Sequence, residues 1–182
     1  MRVSRLPLRR TTLLLAATAV ALAGAACRRP GGDDAQAQGG GTVRDAGMPP
    51  LATGEVVVRT TGGDEVRVQV ELAVTVEQRR VGLMWRERLP ADAGMLFVFS
   101  PPARHESFWM RNTLIPLDMI FIDAERRVLG VVEFAQPLTD SPREVAGDSL
   151  YVLEVNGGFA REHGIGPGAR IEIVGLEAGA TP

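Results

Sequence analysis

Short apolar or alternating segments, separated by turn residues, run from residue 55 to residue 174 of the chain. Alternation of apolar and polar positions is typical of β-strands that bury one face. The pattern predicts a first hairpin, at residues 55–60 and 65–74, around a Gly-containing turn. Six further strands are predicted at residues 94–99, 105–111, 117–123, 128–134, 150–155 and 170–174.

Two of the segments between these strands have helical spacing. Apolar and arginine positions recur three or four apart over residues 76–84, and Thr75 with Gln78 forms a capping-box pattern before them. A second short helix is predicted at residues 159–163. Because strands dominate, the predicted fold class is mainly β (α+β), a compact antiparallel β-barrel-like sheet with two short helices.

The N-terminal segment has the pattern of an export signal. Four arginines and no acidic residue precede Cys27, and an uncharged run at residues 13–26 ends in small residues. Fourteen helical residues would cover about 21 Å, which is shorter than the roughly 30 Å hydrocarbon core of a bilayer. The sequence therefore predicts a cleaved signal peptide over residues 1–26 rather than a permanent transmembrane helix.

Cys27 follows this run directly and is the only cysteine of the chain. Residues 22–27 resemble a bacterial lipobox, in which the cysteine is lipidated and becomes the new N-terminus, although Gly24 stands where the pattern favours a larger aliphatic residue. The resemblance implies that the membrane is a partner through a lipid anchor on Cys27. The protein is then expected to face the periplasm or the cell exterior, and the alternative is plain secretion with a chance cysteine.

Composition divides the rest of the chain into a linker and a folded domain. Residues 27–54 comprise the anchor cysteine and a stretch rich in Gly, Pro, Ala and Asp, which predicts a flexible tether spanning about 30 Å. The folded domain is expected over residues 55–176 and a disordered tail over residues 177–182.

Charge and residue counts exclude several classes of function. All 20 basic residues are Arg, so the chain has no lysine nucleophile or Walker-type phosphate ligand. From Cys27 onward 16 Arg stand against 22 acidic residues, a side-chain balance of −6 that does not suit nucleic acid. With one cysteine and two widely spaced histidines, the sequence implies no disulfide, no zinc site and no cofactor.

The stretch from Phe108 to Asp118 combines aromatic, thioether, guanidinium, amide and carboxylate groups in eleven positions. Strand alternation places Phe108 and Met110 on one face and Trp109 and Arg111 on the other. Asp118 shares its predicted strand face with isoleucines, so its carboxylate needs hydrogen-bond donors. Two interpretations stay open: Asp118 staples the turn at residues 113–116, or it is a perturbed carboxylate in a pocket.

Glu154 is a second acidic residue in an apolar strand, on the same predicted face as Leu150 and Val152. Two inward carboxylates separated by about 5 to 10 Å are the acid and base of glycoside hydrolases. Asp118 and Glu154 therefore support an alternative hypothesis, an envelope glycan or peptide hydrolase. Separate salt bridges to neighbouring arginines are the more ordinary outcome for such residues.

Methionine-based copper binding is a second alternative. Thioethers are ligands of Cu(I), and Met84, Met95, Met110 and Met119 lie within the predicted domain. Each lies in an apolar run, where methionine usually fills the core, and a copper site would need at least three sulfur atoms converging on one point.

Five ordered motifs resemble the DUF192 family, the domain of unknown function 192. The motifs are Gly82 to Arg86, Gly94 to Phe99, Phe108 to Thr113, Pro116 to Phe121 and Leu153 to Gly158. The resemblance covers residues 56–175 and implies a small β-rich domain, often exported, whose biochemical activity is not established. The matching positions expected to line a shared cleft are Arg86, Trp109, Asn112, Asp118 and Glu154.

The leading hypothesis from the sequence is a lipid-tethered, non-catalytic envelope protein. Its aromatic and polar cluster is of the kind that binds a small ligand, an envelope polymer or another envelope protein. The hypothesis depends on Trp109 and Asp118 facing a common hollow.

Overall fold

The computed structural model of the chain describes residues 50–175. The predicted signal peptide, Cys27, most of the tether and the C-terminal tail lie outside this range. Within it, no helix is both long and apolar enough to cross a bilayer. The strands are β1 (Thr53–Arg59), β2 (Glu65–Ala73), β3 (Ala93–Val98), β4 (Leu117–Ile122), β5 (Val128–Ala135), β6 (Tyr151–Asn156) and β7 (Arg170–Val174). The helices are α1 (Val76–Val81) and α2 (Phe159–Glu162).

The seven strands form one sheet in the order β5-β4-β6-β3-β2-β1-β7. All neighbouring pairs are antiparallel except β2 and β3, which are parallel and are connected through α1. The sheet curls into a half-barrel, and its edges meet at one end, where Val128 N–H donates to the Ala169 carbonyl at 2.8 Å. The predicted mainly β class with two short helices is confirmed.

Each face of the sheet carries its own buried cluster. Alternate residues of β4 show the division, because Ile120 belongs to one cluster and Met119 to the other. We name the two sides the Ile120 face and the Met119 face. The Ile120 face also contains Val56, Val70, Leu96, Leu153 and Phe159. The Met119 face also contains Met95, Phe97, Met110, Phe121 and Val152.

The predicted start of α1 is confirmed in detail. Gln78 N–H donates to the Thr75 hydroxyl at 3.2 Å, and Thr75 N–H donates to the Gln78 side-chain oxygen at 2.9 Å. This reciprocal capping satisfies donors that would otherwise lack partners at the start of the helix. β1 begins at Thr53, two residues before the predicted hairpin, and α1 is shorter than the predicted segment.

The prediction of a regular strand at residues 105–111 is wrong. The segment is held only by separated contacts: Phe108 exchanges two backbone hydrogen bonds with Arg143, and Met110 N–H donates to the Thr139 carbonyl. Its partner segment contains Pro137 and Pro142, which lack the N–H donors that a continuous ladder requires. The side-chain alternation nevertheless holds, because Met110 is buried and Trp109 is exposed.

Candidate functional site

A cavity of about 310 Å³ opens beside the Met119 face. One wall is formed by α1 and the turn after it, which contribute Val81 and Leu83, and the opposite wall by the segment around Phe108. β3 and β6 contribute Phe97 and Glu154. The lining is therefore mainly apolar with a few polar groups, and its volume lies at the lower end of the usual range for small-molecule sites.

The aromatic wall of the cavity is a set of perpendicular ring contacts centred on Phe108. Its ring meets that of Phe97 at 5.0 Å between centroids and 87° between planes, and that of Phe99 at 6.2 Å and 84°. Phe121 of β4 contacts it in the same way at 5.9 Å. Edge-to-face pairs of this kind stabilise a defined arrangement, so the wall has a defined shape before any ligand arrives.

Gly82 allows the turn after α1 to approach this wall. Its φ of 49° lies in the region that favours glycine. A Cβ built at Gly82 would lie 3.1 Å from Cζ of Phe97, closer than most real contacts allow. A side chain here would both strain the backbone and displace the Phe97 ring.

Trp109 lines the mouth of the cavity and is held by a neighbouring ion pair. The Arg111 guanidinium carbon lies 4.7 Å from the centroid of the indole ring. Arg111 Nε donates in turn to Asp140 Oδ1 at 2.9 Å. This contact raises the pKa of Arg111, first through the hydrogen bond and then through the charge of Asp140. The cation therefore orients an indole that would otherwise be free to rotate at the surface.

Asn112 lies next to the mouth but does not line it. Its carbonyl accepts a hydrogen bond from Trp85 N–H at 2.7 Å, and its side-chain amide donates to Met84 Sδ at 3.9 Å. Asn112 has a φ of 56°, a left-handed conformation that asparagine tolerates better than most residues. Its observed role is thus to join the turn after α1 to the Trp109 segment.

Arg86 lies beside the site and is committed to Glu71. One guanidinium nitrogen donates to both carboxylate oxygens of Glu71, at 2.7 and 2.6 Å, and both side chains are mostly buried. Strand register places Glu71, Met95 and Glu154 side by side on the Met119 face. Arg86 therefore belongs to the polar edge of this face, although it does not line the cavity.

Glu154 is brought to the cavity as expected. It is only 4% exposed and lies between Met95 and Met119 in the strand register. Thr113, also buried, lies on the same lining. Of the five residues expected to share a cleft, the structure places Trp109 and Glu154 on it, with Asn112 and Arg86 at its margins.

Asp118 is on the other side of the sheet, and its predicted place in the shared cleft is corrected. Its side chain is 0% exposed on the Ile120 face. Oδ1 accepts from Phe134 N–H at 2.8 Å and from Gly158 N–H at 2.9 Å, and Oδ2 accepts from Ala160 N–H at 2.8 Å. Asp118 is thus a staple, but it joins the end of β5 to the start of α2 rather than the turn at residues 113–116.

The two-carboxylate hydrolase hypothesis is not supported by this geometry. The register pairs Met119 of β4 with Glu154 and Asp118 with Val155, so the two carboxylates project from opposite faces of the sheet. A pair separated by a packed sheet cannot act as acid and base on one bond.

Three of the four methionines considered for copper fill the core. Met95, Met110 and Met119 are fully buried among the apolar residues of the Met119 face. Met84 alone lines the cavity. This distribution matches the ordinary packing role of methionine.

Three charged residues of the cavity were missed by the sequence analysis: Arg79, Arg80 and Glu106. Burial raises the pKa of Glu106, although the charges of Arg79, Arg104 and His105 oppose the shift. Arg79 donates to the carbonyls of Val74 and Val98, and its burial lowers its pKa. No sequence signal identifies Glu106, because its position depends on the irregular contacts of residues 104–110.

The comparisons with known proteins place this site in a family. The family model of DUF192, described as Uncharacterized ACR, matches residues 57–173. The chain belongs to the DUF192 family. The match spans β2 to β6 in full, most of β7 and the second half of β1, and it includes all residues that line the cavity.

Two solved structures resemble the chain. One, from Sinorhizobium meliloti 1021, is 37% identical and matches with a TM-score of 0.67 over 70% of this chain and 98% of its own; its assignment as a transcription regulator is provisional. The other, a protein of unknown function from Novosphingobium aromaticivorans DSM 12444, is 38% identical, with a TM-score of 0.64 over 74% of this chain and 99% of its own. No curated protein matches the chain.

Proposed function

We propose that this DUF192 protein is exported, is anchored to a membrane through a lipid on Cys27, and binds a small ligand in the cavity beside Trp109. The cavity carries the binding part of the proposal. It combines perpendicular phenylalanine rings, an oriented indole and the buried Glu154, which is the mixture of apolar walls and few polar groups typical of ligand sites. The export signal and the lipobox pattern support the location.

Binding is preferred to turnover because the acid and base expected from the sequence do not meet. Asp118 is committed to three backbone donors on the Ile120 face, so it cannot pair with Glu154 or Glu106, the two carboxylates that line the cavity. The assignment of the Sinorhizobium relative as a transcription regulator is not carried over, since acidic residues outnumber arginines after Cys27.

Ligand binding is testable with the two tryptophans. In a Trp85→Phe variant, emission reports on Trp109 alone, and a panel of sugars, amino acids, dipeptides and fatty acids is titrated against it. A ligand at 100 times its Kd should also raise the free energy of unfolding by about 2.7 kcal/mol. Trp109→Ala and Glu154→Gln should each weaken binding, whereas Glu162→Gln on α2 is the matched control. A ligand that binds equally well to both cavity variants would refute this site.

The anchor is tested separately by metabolic labelling with an alkyne-bearing fatty acid. The wild type should carry the label and float with membranes, and Cys27→Ser should lose both properties while its domain stays folded. Absence of label on the wild type would remove the anchor and leave plain secretion.

A further inference from the structure

Exposed apolar side chains concentrate around the cavity mouth. Of the seven large apolar residues that are strongly exposed between residues 50 and 175, five lie there, and they are 41% to 73% exposed. We name these five the mouth surface: Val76, Trp85, Trp109, Leu114 and Leu138. A soluble surface rarely groups such residues unless it contacts something apolar.

Backbone contacts join the mouth surface to the cavity. Val76 and Trp109 line the cavity themselves. Trp85 follows Met84 and Leu114 follows Thr113, two residues that also line it. Leu138 N–H donates to the Thr113 carbonyl at 3.2 Å. Each of the five residues therefore lines the opening, directly follows a residue that lines it, or is hydrogen-bonded through its backbone to one.

Two of these residues are held outward at a cost in backbone strain. Trp85 has a φ of 61° and Leu138 a φ of 58°, and bulky side chains rarely adopt such left-handed conformations. Strain of this kind costs on the order of 1 kcal/mol or more and is concentrated at functional sites. Phe134, which is exposed but lies outside the mouth surface, has a similar φ of 51°, so the strain indicates a functional surface only together with the grouping of exposed residues at the mouth.

We propose that the mouth surface docks on the interface of the lipid bilayer, so that the cavity opens toward the membrane. The inference rests on the proposed lipid anchor. Tryptophan is favoured at membrane interfaces because its ring is apolar while its N–H can reach water. Arg80, which is ion-paired with Glu77, and Arg111, which is ion-paired with Asp140, also lie here, and their long apolar stems can lie along lipid.

The place where the tether joins the domain supports docking of the mouth surface on the anchor's own bilayer rather than on a distant partner. Leu51 packs against the Met119-face cluster, and the Ala52 carbonyl accepts from Leu72 N–H at 2.8 Å. The neighbouring Glu71 binds Arg86, the residue after Trp85. The sequence places 22 residues between Cys27 and residue 50, and so short a connection to a lipid on Cys27 would keep the mouth surface at high effective concentration near the anchor's own bilayer.

The test uses the lipidated full chain in phosphatidylethanolamine and phosphatidylglycerol vesicles, with and without brominated acyl chains. The chain has only two tryptophans, and both belong to the mouth surface, so quenching by bromine reports on this surface alone. We expect brominated vesicles to reduce emission at least twofold. Leu138→Asn should cut this quenching by half or more while the midpoint of unfolding stays equal or rises, because asparagine relieves the left-handed strain.

Val174→Ser on β7 is the matched control, since Val174 is exposed but does not line the cavity, and its quenching should equal that of the wild type.

Wild-type protein that floats with vesicles without being quenched would overturn the proposal, as would equal quenching in Leu138→Asn. Flotation reports the anchor and quenching reports docking, so their failures are distinguishable. If the anchor is absent, excess vesicles must still quench the wild type, and no quenching would overturn docking. Loss of a co-purified envelope protein in Leu138→Asn, without lipid quenching, would also overturn it in favour of a protein partner.

Discussion

Asp118 and Glu154 are both buried acidic residues in neighbouring apolar strands, yet the fold uses them differently. Asp118 lies on the Ile120 face and accepts three backbone hydrogen bonds. Glu154 lies on the Met119 face and lines a cavity with Trp109. The comparison shows that burial alone does not distinguish a carboxylate that acts as a structural staple from one that lines the cavity, whereas the sheet face it occupies does.

Replacing each residue in turn by its amide should produce the largest effect, a difference in the free energy of unfolding between the two variants. Asp118→Asn places an NH2 group against Ala160 N–H or against the two donors that Oδ1 satisfies, and should cost about 3 kcal/mol. Glu154→Gln keeps the side-chain volume and should cost clearly less. Urea unfolding measures both free energies. A larger loss for Glu154→Gln than for Asp118→Asn would reverse the assignment of staple and site.

Ligand affinity should rank the same two variants the other way round, with the larger loss in Glu154→Gln. Asp118→Asn should retain the affinity of any ligand found for the cavity at temperatures where it stays folded, and Glu154→Gln should not. Equal loss of affinity would mean that the two faces are coupled through the sheet and do not act separately.

Strand periodicity was sufficient to predict most of the sheet but not the grouping of these residues. Within each strand, alternation correctly placed Asp118 with Ile120 and Glu154 with Val152. Leu150, predicted on the face of Glu154, instead belongs to the Ile120-face cluster, because β6 begins only at Tyr151. Which face of β4 continues which face of β6 depends on their register, and a shift of one residue exchanges the faces. The sequence of either strand alone does not contain that register.

Local capping was predictable for a different reason. The Thr75 and Gln78 hydrogen bonds join residues only three apart, so the four-residue sequence pattern already contains both partners. The cavity, in contrast, is assembled from α1, β3, β6 and residues 106–113. Glu106 is positioned there by isolated β-bridges on either side of it, because Pro137 and Pro142 prevent a continuous strand pairing. Long-range, irregular contacts of this kind leave no periodic signal in a single sequence.

A further prediction tests whether the Met119 face, beside the cavity, can be damaged while the Ile120 face is left intact. Gly82→Ala introduces a Cβ at a φ of 49° and 3.1 Å from Phe97, and should cost about 1 to 2 kcal/mol. It should also shift the Phe97 ring and weaken ligand binding. Gly166→Ala is the control, because a Cβ there meets nothing within 4 Å, and it should change stability by no more than about 0.5 kcal/mol. Equal costs for the two alanines would contradict the close approach at Gly82.

The smallest effect expected at the cavity is the pH dependence that Glu106 contributes to the free energy of unfolding. Burial raises the pKa of this carboxyl, so the folded state holds the proton more tightly than the unfolded state does. Its contribution to stability is therefore present at acidic pH and is lost as pH rises from the ordinary carboxyl range through the raised pKa. Glu106→Gln should remove this dependence, so that the variant gains stability relative to wild type as pH rises through that window. Because the carboxyl is partly exposed, solvent screening keeps this gain small, below about 1 kcal/mol. The stability difference is measured by urea unfolding across that range, with Glu162→Gln as the exposed control. A difference that shrinks with rising pH would mean that the charges of Arg79, Arg104 and His105 outweigh burial, and that this side of the cavity favours the ionised carboxylate.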